Sequence, residues 1–561
     1  MIIMKKKNVE LYALALLFLF SLSSFESAKP IKKEISVPRI INIINFIRQT
    51  EPRIPEITDE VLYQTVAEQV NILKKYQLKG TYLLQYDALI NPKYQKLLKE
   101  EIARGSEVGG WWEITQPHVE AAGLKWRGRY PWDWHANVGF AVGYTPKERE
   151  KLVDVYMAKF KEIFGKYPSS IGSWFIDAHS LAYMYDKYHI VASCNCRDQV
   201  GTDGYTLWGG YWGQGYYPSR KNAYMPAQTS KGQIAVPIFR MLGSDPIYQY
   251  DSGLGGVVQS VATLEPVSAG GSKIWVDWFF KTMFEDPSLG FNYIQSGQEN
   301  SFTWDKMKQG FEIQIPLIAS LSQCGKAEVQ TLEETGKWFK SRYPVTPPTA
   351  LSALTDHEQN NRKTVWFNSR FYRANFLWEG SKLNIRDIHL FNEKYTSDYL
   401  NKPDSSTKCV YTTLPFVDGC LWSSRDKLAG LRIYYKNPSG KMEEVNGGTP
   451  VVRAHGKMMN VTWSLDNHLA TFTFNLSEGE LSVTCISKNK NFVWDMRLTT
   501  LPKVELPFTS IIYNKVEAVQ HHFKYHVLSR QGSFVDCRKV SGDTVLQIKP
   551  KNNKIVLALN N

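Results

Sequence analysis

The sequence predicts an α/β protein: a (β/α) barrel of seven or eight strand–helix units, followed by a C-terminal β-rich region that resembles a β-sandwich. Two observations predict this fold class. Between Arg39 and about Tyr343, short apolar runs alternate with helical patterns, which is typical of parallel strands joined by crossover helices. Beyond Tyr343, runs with a period of two residues lie between turns rich in Asn, Gly and Ser, which is typical of a sandwich.

The predicted barrel strands are short apolar stretches, most of them followed by polar residues: Arg39–Phe46, Gly80–Leu89, Glu107–Ile114, Ile171–Asp177, Ile190–Cys196, Ile234–Leu242 and Phe291–Ser296. Helical patterns lie between them, at Glu60–Tyr76, at Lys93–Ala103, at Pro146–Phe164 and from near His179 through Tyr188. About seven units in roughly 300 residues favour a closed barrel. An open doubly wound sheet is the alternative, but the chain shows no glycine-rich phosphate loop to support it.

The first residues have the three parts of a cleavable signal peptide. A basic segment at Lys5–Lys7 precedes an apolar run at Leu11–Leu22, and small residues follow up to Ala28. The apolar run is shorter than the roughly 20 residues that span a bilayer. We therefore expect cleavage near Ala28, export to the periplasm or the extracellular space, and no stable membrane insertion afterwards.

The composition changes divide the chain into four expected segments. They are the signal peptide at 1–28, a barrel and candidate catalytic domain at 29–343, a linker with an accessory β segment at 344–400, and a β-sandwich-like domain at 401–561. The linker is predicted from the run Pro344–Pro348 (PVTPP). Limited proteolysis is expected to cut near Tyr343–Leu351.

Charge and cysteine content exclude some classes of protein. The formal net charge is +13, and residues 401–561 hold 21 Lys plus Arg against 13 Asp plus Glu. This excess of positive charge could favour acidic glycans or an anionic surface, but a solvated basic surface is the simpler explanation. No basic cluster carries a nucleic-acid motif. The seven cysteines are too few for a disulfide scaffold in a chain this long. Cys409–Cys420 and Cys485–Cys537 are open as pairs, and the oligomeric state is not predicted.

Polar side chains follow or flank most predicted strands. In a (β/α) barrel the active site gathers at the carboxyl ends of the strands. The candidates there are Arg48, Glu51, Asp87, Glu107, Glu113, Asp177, Asp198, Asp245, Asp251, Gln298 and Glu299. Because loops are polar in any protein, each of these residues taken alone is more often structural than catalytic.

Two of these carboxylates stand out from their settings. Asp177 ends the apolar WFID run, and Glu299 lies in SGQENSF after the last predicted strand. Glycoside hydrolysis needs two carboxyl groups, one that attacks or activates water and one that protonates the leaving oxygen. An apolar wall raises the pKa of the acid toward neutrality. We therefore predict Asp177 and Glu299 as the catalytic pair.

Two long segments with little regular pattern, Gln116–Gly143 and Thr202–Thr229, are dense in aromatic residues. Sugar rings pack on aromatic faces while polar side chains bind their hydroxyls, so an oligo- or polysaccharide is the expected partner; packing of the loops on their own aromatics is the alternative. The predicted substrate-binding residues are Glu107, Trp111, Trp112, Trp132, Trp134, His135, Asp198, Tyr205, Trp208, Asp245 and Gln298.

No cofactor and no metal are predicted. The histidines that could bind a metal are His118, His135 and His179, and Asp133 and His135 could offer two ligands with His118 as a third. However, the chain has no HExxH motif and no pair of histidines at helical ligand spacing in this part, and Cys194 and Cys196 lie one residue apart on a predicted strand, where their side chains point to opposite faces.

The segments GSEVGGWWE and WFID, together with the strand–helix order, resemble the glycoside hydrolase/deacetylase barrel superfamily, which includes glycoside hydrolase families 38 and 57 and the polysaccharide deacetylases. Over most of the chain, WRGRYPWDWH, GTDGYTLWGGYW and FRMLGSDPIYQYD look like an exported family of Bacteroidetes type whose paired domains have no known activity. Family 57 places its nucleophile after the fourth strand and its acid after the seventh, which by strand order implies Asp177, where that family has Glu, and Glu299. The histidine-bearing first strand of the superfamily and the Asp and His ligands of its deacetylases have no counterpart here.

The leading hypothesis from the sequence is therefore an exported glycoside hydrolase that uses a carboxylate pair. A metal-dependent carbohydrate deacetylase and a non-catalytic glycan-binding protein are the alternatives.

Overall fold

The computed structural model describes residues 37–466, 468–538 and 543–560. The predicted signal peptide at 1–28 lies outside the described residues. From Pro38 onward the chain forms one compact unit. Among the described helices, none combines the length and the apolar character needed to cross a bilayer.

From residue 37 to residue 343 the described chain contains eleven strands, most of them short and buried: β1 (Arg39–Ile47), β2 (Thr81–Leu84), β3 (Glu107–Trp111), β4 (Ser170–Gly172), β5 (Ala192–Cys196), β6 (Gln199–Thr202), β7 (Tyr205–Leu207), β8 (Gly215–Tyr216), β9 (Ile238–Met241), β10 (Asn292–Ser296) and β11 (Glu328–Val329). Seven of them pair in parallel in the order β10-β1-β2-β3-β4-β5-β9. The two end strands approach each other, since the rings of Phe239 on β9 and Tyr293 on β10 are 5.1 Å apart. The sheet is therefore a nearly closed barrel, as predicted.

Ten helices connect and cover these strands: α1 (Asp59–Lys75), α2 (Tyr86–Ile90), α3 (Pro92–Ala103), α4 (Gln116–Ala121), α5 (Ala136–Gly139), α6 (Pro146–Phe164), α7 (Ala178–Tyr188), α8 (Lys273–Glu285), α9 (Trp304–Gln323) and α10 (Leu332–Arg342). Short 3-10 turns lie at Ala141–Gly143, Asp251–Gly256, Ala269–Gly271 and Asn300–Phe302.

Local sequence explains where α6 begins and ends. The Thr145 hydroxyl accepts a hydrogen bond from the Glu148 amide at 3.3 Å, and the Glu148 carboxylate accepts one from the Thr145 amide at 2.8 Å. This capping box, with Pro146 at the first position, fixes the start of the helix. Gly165, in the left-handed conformation with φ of 76°, ends it.

The C-terminal part consists of strands: β12 (Thr349–Ala353), β13 (Arg362–Asn368), β14 (Tyr372–Glu379), β15 (Lys382–Leu390), β16 (Cys409–Tyr411), β17 (Leu414–Asp418), β18 (Gly430–Lys436), β19 (Met442–Glu444), β20 (Val451–His455), β21 (Met458–Ser464), β22 (Ala470–Ser477), β23 (Glu480–Ser487), β24 (Trp494–Thr499), β25 (Phe508–Ile512), β26 (Lys515–Gln520), β27 (Phe523–Gln531), β28 (Ser533–Asp536), β29 (Thr544–Lys549) and β30 (Lys554–Ala558).

Most of these strands form two large antiparallel sheets. One has the order β12-β13-β14-β15-β18-β24-β29-β28, and the other β20-β21-β22-β23-β30-β27-β26-β25. The ring of Phe376 on the first sheet lies 5.3 Å from that of Phe474 on the second, and Phe472 lies 5.1 Å from Trp494, so the inner faces pack together. The predicted barrel followed by a β-rich region is confirmed.

The barrel and the β-rich region share a buried boundary. The indoles of Trp212 and Trp366 stack with centroids 4.0 Å apart, and the Trp366 indole N–H donates to the Pro246 carbonyl at 2.9 Å. Strand β16 pairs with β7, which belongs to the first part of the chain. The predicted linker is itself buried from Thr346 onward. The segment boundaries stay a prediction, but this packing indicates slow cleavage at residues 343–351.

All seven cysteines are free thiols in the structure. Neither candidate pair, Cys409–Cys420 nor Cys485–Cys537, is joined. Burial raises the pKa of the Cys194 and Cys196 thiols, so both are inert core residues.

Candidate active site

A cavity of about 480 Å³ opens at the end of the barrel where the parallel strands terminate. Trp174 comes shortly after β4, Leu242 directly after β9, and Glu299 three residues after β10. Barrel enzymes carry their active sites at this end, so the cavity is the candidate site. Its lining comes from strand ends and the loops above them: Glu51, Arg53, Ile54, Trp174, Gln199, Thr202, Asp203, Tyr205, Leu242, Val261, Glu265, Glu299, Ser301, Phe302 and Lys306.

Arg48, directly after β1, is the electrostatic centre of the site. It is 1% exposed, and its Nε and Nη2 donate to the two oxygens of Glu113 at 3.2 and 3.1 Å. Its Nη1 donates to Glu299 Oε1 at 3.2 Å and lies 3.8 Å from Glu51 Oε2. The amide of Gln85 donates to Glu113 from the other side. One buried guanidinium thus holds three carboxyl groups in place.

Glu299 has the properties of a proton donor. The residue is 3% exposed, and burial raises the pKa of its carboxyl to about 7, against the opposing effects of Arg48 and Ser301. Its Oε1 accepts hydrogen bonds from Arg48 and from the Ser301 hydroxyl. Its Oε2 is buried and has no partner among the described residues. The proton of the neutral acid is therefore best carried by Oε2.

Glu51 lines the same cavity, but its environment favours the ionised form of its carboxyl group. Burial alone would raise the pKa of its carboxyl, but hydrogen bonds from Arg53 and the charge of Arg48 outweigh it and lower the pKa. Arg53 binds both oxygens, with Nε 2.8 Å from Oε1 and Nη2 2.7 Å from Oε2. Glu51 is therefore an ionised carboxylate at neutral pH.

These two carboxyl groups are close together. Glu51 Oε2 and Glu299 Oε1 lie 3.8 and 3.2 Å from the same atom, Nη1 of Arg48, so their separation cannot exceed about 7 Å. That limit is compatible with the spacing of carboxyl pairs in retaining glycosidases, about 5–5.5 Å, and with the lower part of the range in inverting ones, about 6.5–9.5 Å.

Glu265 is a third carboxyl in the cavity wall. The predicted site residue Gln298 donates from its amide to Glu265 Oε1 at 2.7 Å, and the Thr263 hydroxyl donates to Oε2 at 3.0 Å. Burial raises the pKa of Glu265. Gln298 thus reaches the cavity wall through Glu265.

Only some of the aromatic residues predicted to contact sugar lie at or next to the cavity. Tyr205 lines the cavity, as does Trp174. The Trp132 ring covers the Arg48 guanidinium at 4.1 Å, and Trp134 lies beyond it with its ring 6.0 Å from that of Trp132. Trp132 is 1% exposed, so it acts as a support for the arginine, whereas Trp134 is only partly buried.

The structure gives Asp177 a different environment from Glu299. Asp177 is the N-cap of α7: its Oδ1 accepts the Ser180 amide at 2.9 Å and its Oδ2 accepts the Ser180 hydroxyl at 2.6 Å. Oδ1 also pairs with Arg149 Nη1 at 2.9 Å, and both side chains are fully buried. Asp177 is not among the residues that line the cavity. The predicted pairing with Glu299 stays a prediction that this placement does not support.

Replacing Asp177 with asparagine is expected to lower stability without selectively removing activity. The change leaves the Arg149 charge buried without its carboxylate, which costs about 3–5 kcal/mol. Urea unfolding measures the loss, and turnover per folded molecule should stay close to that of the wild type. A fully folded variant whose turnover falls by orders of magnitude would restore Asp177 as a catalytic residue.

Three predicted substrate-binding residues on or next to β3 lie away from the cavity. Glu107 begins the strand, so it lies at the amino end of the barrel, where its carboxylate accepts from the Glu333 amide at 2.8 Å. Trp111 is stacked on Phe46 in the barrel interior at 4.2 Å. Trp112 packs edge-on against His118 at 5.6 Å. None of the three lines the cavity, because Glu107 is at the opposite end of the strand and the Trp111 and Trp112 rings are packed against other buried aromatic rings.

Three further candidates hold the barrel to the β-rich region. Asp198 is paired with Arg373 at 2.5 Å. The indole of Trp208, 1% exposed, donates to Asp418 Oδ2 at 3.1 Å. Asp245 Oδ2 accepts from the Trp275 indole at 3.1 Å and lies 2.8 Å from His357 Nε2. Their environments indicate structural roles, since their polar atoms are engaged away from the cavity.

The candidate metal ligands do not converge. His118 is fully buried, stacks on Tyr86 at 4.6 Å, and has its pKa lowered by burial to about 4. Asp133 is bound to Arg129 through both oxygens, and the partly exposed predicted substrate-binding residue His135 lies 3.4 Å from it. Within the described ranges, no three His, Cys, Asp or Glu side chains are arranged to hold a metal ion.

Arg53, Asp203, Glu265 and Lys306 line the cavity but are not among the residues predicted from the sequence for the site. The first three belong to turns and bends between regular elements, and Lys306 is in the first turn of α9, so no strand end marks any of them as a position at the barrel mouth. Arg48, Glu51 and Glu113 were on the wider set of strand-end candidates.

The chain matches no protein-family model and none of the curated proteins. It is similar in structure to a protein from Parabacteroides distasonis assigned provisionally as a glycoside hydrolase/deacetylase, with 15% identity and a TM-score of 0.48 over 67% of this chain and 89% of that one. A provisionally assigned polysaccharide deacetylase from Mycobacterium smegmatis shares 10% identity, with a TM-score of 0.34 over 56% and 94% of the two chains. A 4-alpha-glucanotransferase from Thermococcus litoralis shares 9% identity, with a TM-score of 0.30 over 93% and 99%.

These neighbours are of the glycoside hydrolase and deacetylase type that the sequence resembles. Their TM-scores lie below 0.5, so the likeness carries no conclusion about the chemistry of this chain.

Proposed function

We propose that this protein hydrolyses glycosidic bonds in an oligo- or polysaccharide, with Glu299 as the general acid and Glu51 as the carboxylate that attacks the sugar or activates water. The observation that carries the proposal is that two carboxyl groups in one cavity meet at the same buried arginine, in environments that shift their pKa values in opposite directions. The pKa of Glu299 is raised to about 7 and that of Glu51 is lowered. When their environments shift the pKa values of two carboxyl groups in opposite directions, the group with the higher pKa can act as an acid and the other as a base.

Each carboxyl group has a step in this proposal. Glu299 delivers its proton from Oε2 to the leaving oxygen, and the Glu51 carboxylate either attacks the anomeric carbon or takes a proton from the water that attacks it. In the first case, water deprotonated by Glu299 then releases the sugar from Glu51; in the second case, that water becomes the new anomeric hydroxyl. Arg48 stays protonated, since Glu113 and Glu299 outweigh the effect of its burial on the pKa. It positions both carboxyls, and it limits the rise in the pKa of Glu299.

The cavity lining supports a sugar as substrate. Phe302, which is 38% exposed, supplies aromatic surface, whereas Trp174 and Tyr205 are largely buried in the lining; Gln199, Thr202 and Asp203 supply hydrogen-bonding groups. Sugars need both kinds of contact, because their rings present C–H faces and their rims present hydroxyls. The basic and small residues at Lys5–Ala28 support the further proposal that the protein acts after export.

The test is release of products from a panel of plant and host polysaccharides, including acetylated ones, with reducing ends and acetate measured in parallel. We expect reducing ends from at least one polymer, and their loss in Glu51→Gln and Glu299→Gln. Glu100→Gln, an exposed change on α3, is the matched control and should keep activity. Acetate without reducing ends would identify a deacetylase instead, and binding without either product would identify a non-catalytic glycan-binding protein.

The pH dependence should follow Glu299. A general acid works only while it is protonated, so kcat/KM is expected to fall tenfold per pH unit as pH rises above about 7, the pKa of the Glu299 carboxyl. The Glu51 carboxylate stays ionised well into acid, so no loss is expected between pH 7 and pH 5. Initial rates from pH 4 to pH 9 measure the profile; a basic limb that survives unchanged in Glu299→Gln would assign it to another group.

A further inference from the structure

Two buried arginines lie close together outside the cavity. Arg240 is on β9 and Arg197 directly follows β5, and they are 1% and 2% exposed. Asn195 on β5 is opposite Arg240 in the parallel register, so Arg197, two residues further on, lies diagonally across from Arg240 on the same face. Burial and the charge of Arg240 together lower the pKa of Arg197 to about 10.

Their charges are not neutralised by a direct carboxylate bond in the described part of the chain. All three guanidinium nitrogens of Arg240, and Nε of Arg197, are buried and make no hydrogen bond of good geometry with the described residues, although the Tyr216 hydroxyl is close enough to Arg240 for the arginine to offset part of the rise that burial causes in the pKa of that phenol. Arg197 Nη1 donates only to the Ser244 carbonyl, at 3.3 Å. Asp198, the carboxylate next in sequence, is bonded to Arg373 instead.

The side chain of Gln214 brings two further polar atoms without hydrogen bonds close to Arg240. The Arg240 amide donates to the Gln214 carbonyl at 2.9 Å, which places the two residues opposite each other. Both polar atoms of the buried Gln214 side chain lack a partner. An aromatic ring lies next to each guanidinium group. The centroid of the Tyr224 ring is 5.1 Å from the guanidinium carbon of Arg240, and that of the Trp212 ring is 5.5 Å from the guanidinium carbon of Arg197.

Uncompensated buried charge is costly, and unpartnered donors add to the cost. Water would satisfy the donors but add no negative charge, and Asp198, whose charge acts on both arginines, is already paired with Arg373. An anion supplies both an acceptor and a negative charge. Because Arg197, Arg240 and Gln214 are at most 2% exposed, an anion held among them has to be small. We propose that Arg197, Arg240 and Gln214 bind a small inorganic monovalent anion, chloride in physiological media, which stabilises the contact between the barrel and the β-rich region.

Bromide is the probe that locates the ion. Crystals of the full chain grown or soaked in sodium bromide are expected to show an anomalous peak within hydrogen-bond distance of Arg240. In solution, the Tm of the wild type should rise by about 2–4 °C and saturate as chloride replaces gluconate at constant ionic strength. Arg240→Gln should lose the rise. Arg453→Gln, an exposed change on β20, should keep it.

The bromide experiment uses only the wild-type protein, so the test of the anion site does not depend on whether Arg240→Gln folds. A crystal with no bromide peak at Arg240 would overturn the proposal, whatever the Tm does, because a chloride effect would then come from another surface. Neither result depends on the glycosidase activity, since both report binding at a site outside the cavity.

Discussion

Changing Glu299 to glutamine is expected to lower kcat/KM on natural glycosides by a factor of about 10²–10⁴, which is the usual contribution of a positioned general acid. The variant keeps the shape of the side chain but loses the proton that Oε2 delivers. Glycosides with dinitrophenyl leaving groups should be much less affected, because their leaving oxygen departs without a proton. Initial rates on a matched pair of activated and unactivated substrates measure the difference.

Glu265→Gln is the informative control for this experiment. Glu265 lines the same cavity, and burial raises its pKa as well. Its carboxyl is bonded to Gln298 and Thr263 and not to Arg48. We expect its loss to affect both substrates equally. If Glu265→Gln shows the dependence on leaving group and Glu299→Gln does not, then Glu265 is the acid.

Changing Arg48 to methionine is expected to lower the free energy of unfolding by about 3–5 kcal/mol. The change leaves Glu113 buried without the guanidinium that binds both its oxygens. It should also raise the pKa of Glu299, because the Arg48 charge is the main effect that opposes burial. Urea denaturation at pH 7 measures the first effect, and the basic limb of the pH–rate profile measures the second.

Arg53→Met supplies the comparison for Arg48. The Arg53 side chain is 31% exposed, so solvent can take over part of its role toward Glu51. A loss of about 1 kcal/mol or less is expected, as for exposed ion pairs. Equal losses in the two variants, or a loss below about 1 kcal/mol for Arg48→Met, would contradict the central place given to Arg48.

The barrel could be predicted from sequence because its strands are short apolar runs separated by amphipathic helices. Pro146–Phe164 was predicted with its observed ends, since the Thr145 cap and Gly165 mark both. The predicted strand Ile171–Asp177 proved to be only Ser170–Gly172. The apolar residues up to Ile176 are buried as a loop, and an Asp before a helix is as typical of an N-cap as of a strand end.

The site was predictable only where strand ends mark it. Glu299 comes three residues after the end of β10, so its position at the carboxyl end of the barrel could be inferred. Glu107 is the first residue of β3, so it lies at the amino end of the strand. The apolar pattern of a buried strand does not show which polar residue, the one before it or the one after it, is near the active site. Glu265 comes from an irregular segment that tertiary folding brings to the cavity. Trp208 and Trp212 are buried against residues far along the chain, and no local pattern reports such packing.

The most direct test of the central claim is a carboxyl titration by NMR with ¹³C-labelled glutamate, assigned through Glu299→Gln and Glu51→Gln. It needs no substrate. The account predicts that the Glu299 carboxyl titrates near pH 7 and that the Glu51 carboxyl stays ionised from pH 5 to pH 8. If both carboxyls titrate together near pH 4.5, the ordinary pKa of a glutamate side chain, the two groups do not differ as acid and base, and the proposed mechanism is wrong.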